Sequence, residues 1–153
     1  MKMLEHKIPP PIVALLCVGL AWLLPAWLGL IAIPNVMRLV LITLCVVTGL
    51  GISFSGMREF RKAKTTVNPI KINDGSSLVS SGIFNYTRNP MYLGLLVVQI
   101  GWVVYLANPI SVLAPIVFVL FINRFQIQPE ERVMQSLFGS AYDEYKTRVR
   151  AWI

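Results

Sequence analysis

Two short polar segments, each beside a long apolar stretch, carry residue types that bind charged small molecules. The first, residues 88–94, reads Arg-Asn-Pro-Met-Tyr-Leu-Gly and follows a turn rich in Ser and Gly. Proline suits the first turn of a helix, where no hydrogen-bond donor is needed, so Pro90 predicts a helix start. The backbone N–H groups and the positive dipole of such a start attract a carboxylate. We therefore expect a ligand site at the polar end of an apolar helix.

The second segment, residues 123–132, contains Pro129-Glu130-Glu131 in what reads as a first helical turn. The helix dipole alone stabilises a carboxylate there, so a solvated helix start is the alternative interpretation. Because both segments adjoin neighbouring apolar stretches, we expect them to meet across one cavity. There Glu130 would pair with an ammonium group, the helix start would hold a carboxylate, and aromatic rings would pack on a base. S-adenosylmethionine carries all three of these groups.

The apolar stretches that position these segments predict an all-α membrane protein. The chain has 153 residues, of which 56% are hydrophobic, and Asp, Glu, Lys and Arg are absent from residues 8–37, 39–57 and 89–123. One span needs roughly 20 apolar residues, and the third stretch is broken at Asn108-Pro109, which suits a hairpin of two spans. The sequence thus predicts a single domain over 1–153 with transmembrane helices at about 11–33, 36–57, 91–107 and 110–127.

Two polar regions complete the predicted architecture. The loop 58–89 is long for so small a protein, and such loops are usually functional or disordered, so we expect an ordered flap over the cytosolic mouth. The tail 128–153 has apolar residues at approximately helical spacing and an interruption at Gly139. It predicts an amphipathic helical segment against the bundle and the inner leaflet. Pro25 is expected to kink the first span or to end its regular part.

The net charge of +7 predicts orientation and not a nucleic-acid partner. Six Lys and Arg residues lie in the loop 58–89 and five lie from Arg124 onward, so the positive-inside rule places both termini and the loop in the cytosol. The basic residues flank spans and form no separate domain, so we expect anionic lipid and no nucleic acid as a partner. The apolar run after Lys7 is too long for a signal peptide, which predicts a retained span in the cytoplasmic (inner) membrane.

Small and sulfur-containing residues in the spans have mainly a packing interpretation. Cys17 and Cys45 are the two cysteines, and we expect both to be apolar packing residues and expect no metal site. Gly49-Leu50-Gly51 in the second span leaves two interpretations open. It either lets another helix approach closely or contacts a cofactor, because an isolated Gly-x-Gly is weak evidence for the latter.

Residues 66–150 resemble the isoprenylcysteine carboxyl methyltransferase and phospholipid methyltransferase family of membrane enzymes in three ordered places. Residues 88–94 resemble the family signature Arg-His-Pro-x-Tyr-x-Gly. Residues 108–110, Asn-Pro-Ile, match the hairpin turn of the isoprenylcysteine enzymes. Residues 138–149 resemble their Phe-Gly-Glu-Glu-Tyr-x-x-Tyr-Lys-x-Arg-Val segment. This resemblance implies methyl transfer from S-adenosylmethionine to a lipophilic or lipidated acceptor at the cytosolic face of the membrane.

The resemblance also implies a set of site residues. The residues expected to contact the cofactor are Ser76, Ser77, Leu78, Val79, Phe84, Arg88, Asn89, Pro90, Met91, Tyr92, Glu130 and Glu131. Asn89 replaces the family histidine, so an imidazole contact is lost while main-chain contacts persist. No general base is assigned.

Gln126 and Arg124 are the candidates for contact with the acceptor. Gln126 stands where the isoprenylcysteine enzymes have an arginine that binds the acceptor carboxylate. A regular α-helix separates Arg124 from Gln126 by about 200°, so Arg124 is not expected to take over that role. The change predicts an acceptor without a free carboxylate, such as the amine of a phospholipid.

A small membrane transporter or a structural membrane protein is the alternative to an enzyme. Ion-coupled carriers usually place an acidic residue within a span, and the uncharged stretches of this sequence contain none. A purely structural protein would not need a long polar flap opposite a Pro-Glu-Glu segment. Both features favour the methyltransferase.

Overall fold

The computed structural model describes residues 5, 7–63 and 78–153, and within these ranges the chain is helical with no strands. This confirms the all-α prediction at that level. The helices are α1 (Pro10–Leu23), α2 (Asn35–Lys62), α3 (Pro90–Leu106), α4 (Leu113–Ile122), α5 (Gln128–Phe138) and α6 (Ser140–Arg148). Short 3-10 helices lie at Gly82–Asn85 and Pro109–Val112.

The apolar helices are consistent with a membrane protein. Helix α2 and the continuous helix Pro109–Phe138 are each long and apolar enough to cross a membrane, and α1 and α3 are shorter apolar helices. A π-helical turn at Asn123–Ile127 joins α4 to α5 within the continuous helix. The polar start of α5 therefore extends directly from the apolar α4, as the second motif predicted.

The predicted span 11–33 is helical only up to Leu23. Leu24 is extended, with φ −69° and ψ 129°, because the ring of Pro25 disfavours helical geometry in the residue before it. The following segment returns toward α2 along the far end of α3, where the Ile31 N–H donates to the carbonyl of Ala107 at 2.8 Å. Pro25 thus ends the regular part of this span, one of the two outcomes expected for it.

Helices α2 and α3 pack closely through small residues. A Cβ added to Gly49 would lie 2.5 Å from the Gly94 carbonyl oxygen, and one added to Gly94 would collide with Ser53 Oγ. Small residues permit this approach of two backbones. At Gly51, by contrast, a Cβ would meet nothing within 4 Å. The contacts of Gly49 therefore support the interpretation in which the Gly-x-Gly segment lets another helix approach closely.

This packing predicts a stability difference between two otherwise similar substitutions. Gly94→Ala should lower the free energy of unfolding by about 1–3 kcal/mol, because the new methyl group overpacks a contact made partly of backbone. Gly51→Ala is the matched control and should leave stability unchanged or raise it by up to about 1 kcal/mol through helix propensity. Thermal unfolding of both variants in detergent measures this. Equal midpoints would show that α2 and α3 are not held this closely.

The core lies between α1, α3 and α4. Cys17, Phe118 and Ile122 are buried in it, and the Trp102 indole N–H donates to the Val18 carbonyl at 3.2 Å. Cys17 thus packs as an apolar residue, as expected, and Cys45 is half-buried. This core fixes α3 against α1 and α4 and so sets the position of the first turn of α3.

A second apolar cluster connects the segment before α3 to the C-terminal helices. Val79 and Phe84 pack against Tyr142, Tyr145 and Val149. Helix α2 continues to Lys62, so the predicted flap 58–89 begins in a helix and contains a 3-10 helix near its other end. The tail is interrupted at Gly139, whose φ of +51° suits glycine, as the sequence predicted.

Candidate functional site

The two polar motifs meet where α3 and α5 begin. Helix α3 starts at Pro90 as predicted, and Tyr92 lies in its first turn with 7% of its surface exposed. The Tyr92 hydroxyl donates to Oε1 of Glu130, which lies in the first turn of α5. The predicted juxtaposition of the two segments is therefore present, and it places a carboxylate beside the start of a helix.

A second pair of residues joins the same two segments. The Arg88 guanidinium forms an ion pair with Glu131 and also donates to the Val149 carbonyl at 2.6 Å. The side chains of Arg88 and Glu131 are 12% and 23% exposed, so water screens this pair only partly. Glu131 thus forms an ion pair with Arg88, while Glu130 accepts a hydrogen bond from Tyr92. The two adjacent carboxylates have different partners.

The segment before α3 is also held by residues close to the C-terminal end of the sequence. The Arg88 backbone N–H donates to the Arg150 carbonyl at 3.0 Å, and Asn89 Nδ2 donates to the Ala151 carbonyl at 2.9 Å. The Thr87 hydroxyl donates to the same Ala151 oxygen at 3.3 Å. The Asn89 side chain therefore contacts the C-terminal segment.

Two tyrosines of α6 pack against the segment before α3. The Tyr145 hydroxyl donates to the Phe84 carbonyl at 2.7 Å, and both Tyr142 and Tyr145 are buried. Burial raises the pKa of Tyr145 to about 12, against the opposing effect of the nearby Arg88. The phenol therefore keeps its proton at physiological pH and remains the donor of this bond.

The remaining cofactor candidates have packing partners in the structure. Phe84 lies edge-to-face against Phe60, with ring centroids 5.2 Å apart, and Leu78 and Val79 belong to the same apolar cluster. Pro90 and Met91 pack against α2, and the Met91 carbonyl accepts from Ser53 Oγ at 3.4 Å. Ser76 and Ser77 lie outside the described residues. A cofactor contact by any of these residues stays a prediction.

The two acceptor candidates contact the N-terminal segment. Gln126 is 1% exposed, and its Nε2 donates to the Ile8 carbonyl at 2.8 Å. Arg124 lies 3.2 Å from a carboxylate oxygen of Glu5. Residues 123–127 form a π-helical turn and not a regular α-helix, and within it Gln126 is buried whereas Arg124 is partly exposed. Their predicted contact with an acceptor remains untested.

An open cleft of about 440 Å³ lies beside the Arg88–Glu131 pair. Its lining residues are polar: Gln128, Glu131, Arg132, Gln135 and Lys146. Glu131, the partner of Arg88, therefore forms part of the wall of a solvent-accessible depression next to the start of α5.

The sequence did not predict the contacts that residues near both ends of the described chain make around this site. Glu5 and Ile8 contact the helix around residue 126, and Ala151 and Trp152 contact residues 89 and 123. The C-terminal Tyr-x-x-Tyr-Lys-x-Arg-Val pattern was the one available signal for the second group. No comparable motif marks Glu5.

Comparison with known proteins gives a family match over most of the chain. Residues 37–141 match the family model described as phospholipid methyltransferase. The protein-S-isoprenylcysteine O-methyltransferase B of Arabidopsis thaliana is 36% identical over 83 residues, covering 52% of this chain and 41% of the plant protein. The protein-S-isoprenylcysteine O-methyltransferase of Schizosaccharomyces pombe is 34% identical over 86 residues, covering 54% and 35% of the two chains.

An uncharacterised protein of Haemophilus influenzae is 44% identical over 63 residues, which cover 41% of this chain and all of that protein. The chain spans less than half the length of the two isoprenylcysteine methyltransferases. No solved structure gives a significant match.

Proposed function

The chain belongs to the phospholipid methyltransferase family, and we propose that it transfers the methyl group of S-adenosylmethionine to a lipophilic acceptor at the cytosolic face of a membrane. The observation that carries this proposal is the contact of Tyr92 with Glu130, which joins the polar starts of α3 and α5. The family match favours the enzyme over the carrier alternative.

The residues around this contact suit the polar end of S-adenosylmethionine. Glu130 uses Oε1 for Tyr92, which leaves its Oε2 to accept from an ammonium group. No side chain among the described residues caps the start of α3, so the first-turn amides of Met91 and Tyr92 remain to hold a carboxylate. The Glu130 carboxylate and the first-turn amides of α3 therefore suit the ammonium and carboxylate groups of the amino-acid moiety of S-adenosylmethionine.

The protein's part in the reaction is positioning. S-adenosylmethionine, when bound, supplies an electrophilic methyl group that an acceptor O, N or S atom attacks in line. Tyr92 fixes the Glu130 carboxylate, and the Arg88–Glu131 pair fixes the two segments that carry them. Orientation of two reactants and exclusion of water can lower a barrier without a general base, and we propose none.

The acceptor we propose has no free carboxylate at the methylated end. The position of the family arginine is held by Gln126, which is buried and bonded to Ile8. It therefore offers no charge to a carboxylate. A phospholipid amine fits this environment better than a prenylcysteine, because it brings no anion to that position.

We further propose four spans, formed by α1, α2, α3 and α4, with the site in the cytosol. Glu5 contacts Arg124, and Ala151 contacts Asn89, so both ends of the described chain lie on the side of the site. That side also carries most of the Lys and Arg residues, which favours a cytosolic location.

Methyl transfer in sealed membrane vesicles tests both the activity and its side. Radiolabelled S-adenosylmethionine should label lipid in vesicles that expose the cytosolic face, and should not label lipid in vesicles of the opposite orientation. Vesicles from cells without the protein are the control, and mass analysis identifies the acceptor. Absence of labelling in both orientations, with total lipid extract and a prenylcysteine analogue supplied, would overturn the proposed reaction. Equal labelling would overturn the orientation.

A further inference from the structure

The N-terminal segment crosses the cytosolic end of the continuous helix through one carboxylate held by two arginines. Glu5 Oε1 lies 3.2 Å from Arg124 Nη1, and Glu5 Oε2 lies 2.6 Å from Arg132 Nη2. The Glu5 side chain is 14% exposed, whereas those of Arg124 and Arg132 are 39% and 55% exposed. The two guanidinium groups thus form an anion site, which we call the arginine pair, that solvent can still reach.

The π-helical turn is what brings the arginine pair together. Eight residues of regular α-helix would rotate Arg132 about 80° away from Arg124. A π turn inserts about one extra residue into the helix, so the separation becomes that of seven residues, about 20°. The two side chains therefore project from one side of the helix and reach the same anion.

An exposed apolar stripe leads along α4 to the arginine pair. Its members are more than two-fifths exposed: Leu113 50%, Ile116 48%, Val117 46% and Leu120 64%. Their spacing places them on one helix face, and Arg124 follows Leu120 by one turn on that face. An apolar stripe that ends in guanidinium groups at the end of a membrane helix matches the arrangement of acyl chains and phosphate in a lipid leaflet.

We propose that Arg124 and Arg132 bind the phosphate of a membrane phospholipid whose acyl chains lie along Leu113, Ile116, Val117 and Leu120. Glu5 occupies the arginine pair when no lipid phosphate is bound. A phosphodiester offers two free oxygens, as the Glu5 carboxylate does, and arginine binds both groups through paired hydrogen bonds. This site is separate from the Tyr92–Glu130 contact, and it stands whether or not the proposed reaction is correct.

Lipid binding by the full-length protein in detergent tests the proposal, with a fluorescent phosphatidylglycerol as the probe. Glu5→Gln removes the competing charge at nearly constant size and should tighten binding about tenfold, the effect of one charge-assisted bond. Arg132→Gln should weaken binding by a similar factor. Arg150→Gln is the matched control, since it removes the same charge from another exposed arginine, and it should change affinity less than about twofold.

Two further arms separate binding of a lipid from capture of free phosphate and from non-specific charge attraction. Inorganic phosphate at matched ionic strength should not displace the probe, because it cannot contact the apolar stripe. If inorganic phosphate displaces the probe at the same concentrations as short-chain phosphatidylglycerol does, the site binds free phosphate and the proposal is overturned. Equal losses in Arg132→Gln and Arg150→Gln would mean non-specific attraction and overturn the site. Unchanged binding in Glu5→Gln, a variant that keeps all the arginines, would overturn the proposal even if Arg132→Gln failed to fold.

Discussion

Glu130→Gln should weaken S-adenosylmethionine binding by roughly ten- to a hundredfold while leaving the protein folded. The amide has nearly the same size and can still accept from the Tyr92 hydroxyl, but it cannot pair with an ammonium group. A hydrogen bond to a charged group contributes about 1.5–3 kcal/mol, which converts to that loss of affinity. Calorimetry on detergent-purified protein measures it directly.

Glu144→Gln is the matched control for this experiment. Glu144 is an exposed residue of α6 whose carboxylate lies 3.8 Å from Arg148, so its loss should leave cofactor affinity unchanged. Tyr92→Phe gives a second measure, because it removes the donor that orients Glu130 and keeps the ring. Wild-type affinity in Glu130→Gln would show that Glu130 serves only the helix dipole and would remove it from the cofactor site.

Arg88→Met should lower the free energy of unfolding by about 3 kcal/mol, the lower end of the range for breaking a buried ion pair. The Arg88 side chain is 12% exposed and holds both Glu131 and the Val149 carbonyl. Its loss leaves a half-buried carboxylate and a carbonyl without their partner. Because these contacts join α5 and the C-terminal segment to the start of α3, cofactor affinity should fall as well. Denaturant unfolding and calorimetry measure the two effects.

Arg148→Met provides the comparison. Arg148 pairs with Glu144 at 3.8 Å on an exposed surface, and such pairs contribute about 0–1 kcal/mol. The double variant Arg88→Met, Glu131→Met should recover part of the lost stability, because no uncompensated charge remains. Equal stabilities of Arg88→Met and Arg148→Met would show that the Arg88–Glu131 pair does not hold the site together.

The parts of the fold that depend on local chemistry were predictable from the sequence. Pro90 starts a helix, Pro25 ends the regular part of the first span, and Gly139 interrupts the tail. The two proline rings restrict the backbone by themselves, and glycine permits the positive φ that other residues rarely adopt. The meeting of the segments 88–94 and 123–132 was also predicted, since both lie at the same end of neighbouring apolar helices, but the direct contact of Tyr92 with Glu130 was not.

The contacts that span the whole chain were not predictable in the same way. The bond from Gln126 to Ile8 and the ion pairs of Glu5 join residues more than a hundred positions apart, and no periodic pattern reports such pairs. The π-helical turn changes the phase of the continuous helix, and this change brings Arg124 and Arg132 to one carboxylate of Glu5. Rules that consider one residue at a time do not predict where such a turn interrupts a helix.

The hydrogen bonds from the segment before α3 to residues 150 and 151 fix when the site can form during biosynthesis. Asn89 and Ala151 are 62 positions apart, and all of α3 to α6 is synthesised between them. At a translation rate of about 5–20 residues per second, that interval lasts roughly 3–12 s. During this time α3 can already form, yet the Arg88 and Asn89 side chains still lack their partners. A nascent chain on the ribosome therefore carries its apolar helices before it carries a finished site, and the first polar motif is locked in place only once residues 150 and 151 have been made.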